Sequence, residues 1–180
     1  MRIVGGIHRS RRFSPPKNFK ARPTTDFAKE NIFNVLNNLI ELEDAEGLDL
    51  FAGTGSLGFE MISRGCSKVI AIEKEPINYN FINTVKEKLK AEGMLVLKAD
   101  AFKYIDSCPH KFDLIFADPP FELKELDAIP ALILSKELLK PGGIFVMEHP
   151  ANYDFSHLPL FDHKREYGAV NFSVFIAQES

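Results

Sequence analysis

Apolar and polar positions along this chain follow two different periods. Over residues 26–40, Ile32, Phe33, Leu36, Leu39 and Ile40 recur at helical spacing and predict an amphipathic helix. Pro23 fixes the chain ahead of it, and Thr24, Thr25 or Asp26 can cap its first N–H groups. From Gly47 onward, short apolar runs alternate with helical patterns. Strands are predicted at 48–51, 69–72, 94–97, 112–117 and 144–147, with helices at 56–64, 76–93, 101–107 and 123–139. Ile77, Phe81, Val85 and Leu89 mark the inner face of the second of these helices, and Pro130 is expected to bend the last. Lys140-Pro141-Gly142-Gly143 is read as the stop that ends that helix. The nearly all-apolar 112–117 run suits a strand covered on both faces.

The two ends of the chain differ from this middle. Residues 163–166 and 171–177 flank Tyr167-Gly168-Ala169 and read as an antiparallel hairpin. Residues 1–14 alternate weakly, with Gly5-Gly6 and Ser10 permitting a bend or hairpin, and Pro15-Pro16 stops any strand there. The expected fold is α/β. It has a doubly wound, mostly parallel, seven-stranded Rossmann-like sheet ending in an antiparallel hairpin, preceded by a small basic N-terminal hairpin extension. The expected division is residues 1–22 as the extension and 23–180 as the main domain.

Charge sharpens that division. The net charge is −3 over 180 residues. Residues 1–25 carry Arg2, Arg9, Arg11, Arg12, Lys17, Lys20 and Arg22 and no acid, for +7. The other 155 residues hold 15 basic and 25 acidic side chains, for −10. A basic arm on an acidic domain suits a polyanionic partner. No apolar run approaches the ~18–20 residues of a membrane helix, and the N-terminus has no apolar block of secretory type. The expectation is a cytoplasmic protein without a membrane partner. Cys66 and Cys108 have no metal spacing around them and read as reduced, small apolar residues.

Candidate chemistry gathers where strands end. Gly53, Gly55 and Gly58 fit the G-x-G-x-x-G spacing after the first strand of the alternating region. Such a turn lets a ligand approach the main chain, and the following helix aims free N–H groups at it. Glu73 follows Gly53 by 20 residues and ends the next strand, where a carboxylate can accept from both ribose hydroxyls of an adenosine. Asp100, with the Ala101 N–H beside it, is a candidate acceptor for an adenine amino group, and also a candidate helix cap. Asp49 either anchors a ligand amino group or braces the glycine loop.

Asp118-Pro119-Pro120-Phe121 ends the 112–117 strand. Its two prolines remove two backbone donors and stiffen the loop, leaving the Asp118 carboxylate and the Pro119 carbonyl as fixed acceptors beside an aromatic face. That set suits an exocyclic amine on a planar base. Bonds from both its N–H groups favour a pyramidal nitrogen whose lone pair can attack the methyl of S-adenosylmethionine, and Phe121 offers a stacking surface for the base. His149 follows the 144–147 strand and is assigned no role. No clustered ligands suggest a metal.

These motifs resemble a known family. The glycine turn, Glu73, the 118–121 corner and Leu139-Lys140-Pro141-Gly142-Gly143 are similar to those of class I S-adenosylmethionine-dependent methyltransferases. Arg2-Ile3-Val4-Gly5-Gly6, Arg22-Pro23-Thr24-Thr25-Asp26, Glu30-Asn31-Ile32-Phe33-Asn34 and Asp49-Leu50-Phe51-Ala52-Gly53-Thr54-Gly55 resemble, more narrowly, the bacterial 16S rRNA guanine-N2 methyltransferase D family. The resemblance spans nearly the whole chain. One departure is Phe27-Ala28-Lys29, where a more basic helix start is expected.

The resemblance implies one methylation of the exocyclic N2 of a specific guanine in 16S rRNA, on the 30S subunit or an assembly intermediate. It implies a monomer using S-adenosylmethionine and no metal. The implied catalytic residues are Asp118, Pro119, Pro120 and Phe121. The implied cofactor residues are Asp49, Phe51, Ala52, Gly53, Thr54, Gly55, Glu73, Lys74, Asp100, Ala101 and Asp118. The basic residues Arg2, Arg9, Arg11, Arg12, Lys17 and Arg22 are expected to hold RNA phosphates. The D-P-P-F motif also occurs, in close variants, in DNA adenine-N6 methyltransferases, which is the alternative activity. An NAD-dependent oxidoreductase and a non-catalytic RNA-binding module are further readings.

Overall fold

A computed structural model describes residues 1–19 and 23–180. In chain order the elements are α1 (Asp26–Leu36), β1 (Glu46–Leu50), α2 (Ser56–Ser63), β2 (Lys68–Glu73), α3 (Pro76–Leu89), β3 (Met94–Lys98), α4 (Ala101–Ser107), β4 (Phe112–Ala117), a 3-10 turn (Leu126–Ala128), α5 (Ile129–Ser135), β5 (Leu139–His149), β6 (Phe161–Tyr167) and β7 (Val170–Ile176). The seven strands form one sheet in the order β3-β2-β1-β4-β5-β7-β6. β1 to β5 run parallel, and β7 pairs antiparallel with both β5 and β6. Each face of the sheet has its own core. Ile32, Phe33 and Leu36 of α1, Phe59 of α2 and Ile82 of α3 cover one. Ile105 of α4, Leu126, and Ile129 and Ile133 of α5 cover the other.

The expected mostly parallel seven-stranded sheet with its antiparallel end hairpin is observed, and several boundaries move for identifiable reasons. α1 stops at Leu36, short of residue 40, and Asn37, Asn38 and Leu39 close it with a tightened turn. Asn38 turns its side chain back onto the Asn34 carbonyl, a local bond that competes with helix continuation. The capping residue is Thr25, whose hydroxyl accepts from the Ala28 N–H at 3.1 Å. On α3 the inner seam is Ile82, Val85 and Leu89: Val85 and Leu89 are as expected, Ile82 is fully buried where Phe81 is only partly so, and Ile77 is exposed.

Pro130 lies in the first turn of α5, just after Ile129, instead of bending a longer helix, because its fixed φ suits a first turn. The Pro141-Gly142-Gly143 stretch is not a stop before β5 but part of it. Phe112 pairs with Leu139 and Leu114 with Ile144, so the extra residues form a bulge.

The N-terminal segment folds back through an isolated antiparallel bridge between Arg2 and Arg12, then docks on α2. The Val4 and Gly5 N–H groups donate to the Glu60 carboxylate at 3.0 and 2.8 Å, and Ile7 N–H donates to the Ser63 carbonyl at 2.8 Å. Gly6 has φ +74°, and a Cβ there would lie 1.8 Å from the Ser63 carbonyl oxygen, so no side chain fits. Ile3 is buried in the α1–α2 core.

Lys29 lies beneath this contact, fully buried. Its Nζ donates to the Arg2 carbonyl and to Ser56 Oγ (2.8 Å) and sits 3.7 Å from Glu60. Burial lowers the Lys29 pKa, and the Glu60 charge pulls it back up. The cation expected to be accompanied by further basic residues on an RNA-facing helix start is therefore internal.

Removing one partner of a buried ion pair leaves the other uncompensated. Lys29→Met is expected to cost about 3–5 kcal/mol in urea unfolding and to speed hydrogen exchange at the Val4 and Gly5 amides. Unchanged exchange at these amides would show that the segment docks independently of Lys29.

Candidate active site

All five parallel strands end at the same edge of the sheet, where doubly wound folds bind ligands. After β1 the chain turns sharply through Phe51 (φ 60°), Gly53 (φ 59°) and Gly55 (φ 79°), then enters α2. Ala52 N–H donates to the Ile72 carbonyl at 2.9 Å, which ties the turn to β2. Gly58 lets α2 approach β1: a Cβ there would stand 2.9 Å from Met94 Cε and 3.1 Å from Asp49 Oδ2. The turn opens onto a cavity of about 1790 Å³, and the 118–121 corner lines the same cavity.

Four acids at strand ends meet there. Asp49, buried on β1, accepts from the Gly58 N–H at 2.9 Å, so it braces the start of α2. Burial pushes its pKa up to about 7, against the pull of that N–H. Glu73, at the end of β2, accepts from the Gly53 N–H at 2.6 Å and the Glu75 N–H at 2.9 Å, yet burial still raises its pKa. Asp100 caps α4 through Oδ1, accepting from the Lys103 N–H at 3.1 Å. Asp118 follows β4. Burial in the cavity and then the neighbouring Glu148 carboxyl hold its pKa well above the usual carboxylate range.

Phe51, Ala52, Gly53, Thr54, Lys74, Ala101, Pro119, Pro120 and Phe121 line the cavity with these acids, while Gly55 sits just behind as the residue before α2. Pro119 is buried, Phe121 half-buried and Pro120 exposed. Among the basic candidates, Lys17 is exposed on the cavity rim. Arg9, Arg11 and Arg12 are exposed away from it, with Arg11 over the Phe13 ring at 5.6 Å. Arg2 pairs with Asp26 at 2.9 Å. Arg22 and Lys20 lie outside the described residues.

Thr24 and Glu148 line the same cavity and were not singled out for this site from the sequence. Thr24, read as a cap, donates to Glu148 Oε2 at 2.7 Å and reaches Asp118 Oδ2 at 3.2 Å. Glu148 is buried on β5. A Thr that precedes the true cap and an acid inside an apolar strand were the available signals. His149 is buried and bonded to Ser173 Oγ (2.7 Å), away from the cavity lining. Among the described residues no three His, Cys, Asp or Glu side chains cluster to hold a metal ion, and no helix is long and apolar enough to cross a membrane.

A parallel sheet in this order, closed by an antiparallel β7 inserted beside β5, with a glycine turn after β1, defines a class I methyltransferase fold. The model of the family described as conserved hypothetical protein 95 matches residues 1–176. The chain is 35% identical over 153 residues to the ribosomal RNA small subunit methyltransferase D of Haemophilus influenzae, a match covering 82% of this chain and 78% of that relative. It is similar to the solved structure of a hypothetical protein of Thermus thermophilus, with a TM-score of 0.82, 26% identity, and coverage of 100% and 99% of the two chains. It shares its fold with the T. thermophilus 16S rRNA N2 G1207 methyltransferase, solved in complex with AdoMet and guanosine, with a TM-score of 0.70, 17% identity, and coverage of 86% and 44%. The chain belongs to the conserved hypothetical protein 95 family, together with the ribosomal RNA small subunit methyltransferase D proteins.

The Asp49 environment has a pH signature. A carboxyl whose folded pKa lies above its unfolded value keeps its proton in the native state while the unfolded chain has lost it. Stability is then full below the unfolded value of about 4 and falls as pH rises to about 7. Asp49→Asn is expected to gain on the wild type by on the order of 1–3 kcal/mol between pH 4.5 and 7.5, read from urea midpoints. Parallel pH profiles would contradict a neutral, buried Asp49.

Proposed function

We propose that this chain transfers a methyl group from S-adenosylmethionine to the exocyclic N2 of a guanine in 16S rRNA. The observation that carries the reading is the shared cavity, with the glycine turn and Glu73 on one side and the 118–121 corner on the other. Its acids fit the cofactor. Asp49, Glu73 and Asp118 are desolvated carboxyls, and S-adenosylmethionine brings a sulfonium and an ammonium. The relatives' names support rRNA as the substrate class.

In this reading Glu73 holds the ribose hydroxyls, releasing the Gly53 N–H as it does so. The Ala101 N–H and Asp100 meet the adenine, and Phe51, Ala52, Thr54, Gly55 and Lys74 complete the cradle. When bound, the cofactor supplies an electrophilic methyl carbon. Asp118 and the Pro119 carbonyl accept from the guanine amine and turn its lone pair toward that carbon. Pro120 stiffens the corner and Phe121 stacks on the flipped base. Arg9, Arg11 and Arg12, with Arg2, Lys17 and Arg22, hold phosphates of the small subunit or an assembly intermediate, so residues 1–22 act as the RNA-gripping part of a cytoplasmic monomer.

The test is mass spectrometry of 16S rRNA after incubating 30S particles from cells lacking the gene with enzyme and cofactor. One new N2-methylguanine is expected, and methyl incorporation into plasmid adenine instead would overturn the reading. Asp118→Ala is expected to lower kcat at least ~10³-fold while calorimetry still detects cofactor binding. Replacing Arg9, Arg11 and Arg12 by Ala is expected to weaken particle binding and flatten its salt dependence by about three in slope, with cofactor affinity unchanged.

A further inference from the structure

Phe27 differs from the other apolar side chains that the fold leaves uncovered. It is 63% exposed, while the other large exposed ones among the described residues, Ile7, Leu39, Ile77, Leu95 and Leu160, are aliphatic. It also occupies the α1 start where a more basic sequence was expected. Single apolar residues on a surface are ordinary, but this one has a partner. Tyr167, at the end of β6, meets it with ring centroids 6.1 Å apart and planes at 89°. Tyr167 is half-buried and rests on the fully buried Phe172, again at 6.1 Å. An anchored ring thus holds Phe27 from one side, while most of the Phe27 surface stays in water.

Two elements join this patch to the cavity. Thr24, three residues before Phe27, lines the cavity and reaches Asp118 Oδ2 at 3.2 Å. Val170, paired with Tyr167 across the hairpin, lines it too. Basic groups flank the patch. Asp26, beside Phe27, holds Arg2 of the N-terminal segment at 2.9 Å. Arg165 pairs with Phe172 across the strands, so it shares a sheet face with Tyr167. It is exposed and makes no ion pair among the described residues, since Glu166 beside it in sequence pairs with Lys164 at 3.0 Å.

We infer that Phe27, backed by Tyr167, is a stacking platform for an unpaired RNA base adjacent to the one that enters the cavity, with Arg165 on that nucleotide's phosphate. The part in turnover rests on the proposed function, whereas the stacking of an RNA base on Phe27 does not. A base that leaves its stack uncovers the faces of its neighbours. An aromatic side chain restores the lost contact, whichever base it meets, because every base has a π face. A protein occupant fits less well. Two rings cover little of the roughly 800 Å² that a standard protein interface takes from each partner, whereas one base needs one ring face. Phe27 is then a positioning residue: by holding the flanking nucleotide it fixes where its neighbour enters the cavity.

The chain contains no Trp, so Phe27→Trp places a single indole reporter on the platform. Its emission is followed at low salt during titration with single-stranded oligoadenylate of about 12 nucleotides and with an abasic ribose-phosphate chain of the same length. The oligoadenylate is expected to quench the emission and the abasic chain to leave it nearly unchanged. Equal quenching by the two, or by neither, would overturn the platform. Beside this, kcat/KM is measured on 30S particles. Phe27→Ala and Phe27→Leu are each expected to lower it about tenfold, mostly through KM, and Phe27→Trp to retain it. Arg165→Ala is expected to weaken particle binding and lower its salt slope by about one. Phe27 is mostly exposed, so these variants are expected to keep the wild-type urea midpoint. Equal kinetics for the Ala, Leu and Trp variants would overturn the inference. Loss of particle activity without base-dependent quenching would assign the patch to a ribosomal protein and overturn the base as occupant. If quenching depends on the base and no particle is methylated, the proposed function falls and the platform stands. If particles are methylated and neither readout responds, the platform falls alone.

Discussion

Parallel strands all end in one direction, and this chain puts an acid at or near the end of each: Asp49, Glu73, Asp100, Asp118 and Glu148. The sheet thus gathers carboxyl groups into a single cavity, where burial makes Asp49, Glu73 and Asp118 costly to ionise without a cation. The structure meets part of that cost with backbone N–H groups from the glycine turn and the starts of α2 and α4. What remains is a site whose unsatisfied preference is for a positively charged ligand. In the proposed reaction that ligand is the methyl donor, which loses its sulfonium charge on turnover. Binding and release then follow from the same electrostatic arrangement.

The second organising contact is the buried Lys29. It ties the Arg2 carbonyl of the N-terminal segment to Ser56, the first residue of α2, while Glu60 holds the Val4 and Gly5 amides. The basic segment is therefore carried on the helix that leaves the glycine turn. Its exposed arginines extend from a surface fixed to the cavity wall, which is the geometry a substrate-gripping element needs if it is to bring a distant polyanion into register with a reacting base.

Much of this was legible in the sequence because local rules and tertiary needs agree there. β4 and α4 run over the residues their patterns indicated, since an all-apolar run and a cap followed by a short periodic stretch leave little choice. The glycine turn and the 118–121 corner were legible because both need residue types that ordinary turns do not. Elsewhere tertiary context won. The apolar pattern of α1 continued past Leu36, but the Asn pair turned the chain. Gly142 and Gly143 look like a stop, and β4 instead recruits them as a bulge. The Thr24–Glu148 contact joins residues 124 apart through side chains alone, and no period or spacing encodes it.

The most direct measurement is a crystal structure of the protein with S-adenosylhomocysteine. The account predicts the ribose hydroxyls on Glu73, the Gly53 N–H released, and the sulfur directed across the cavity at Asp118 and Phe121. A ligand seated with its sulfur away from that corner, or outside this cavity, would contradict it.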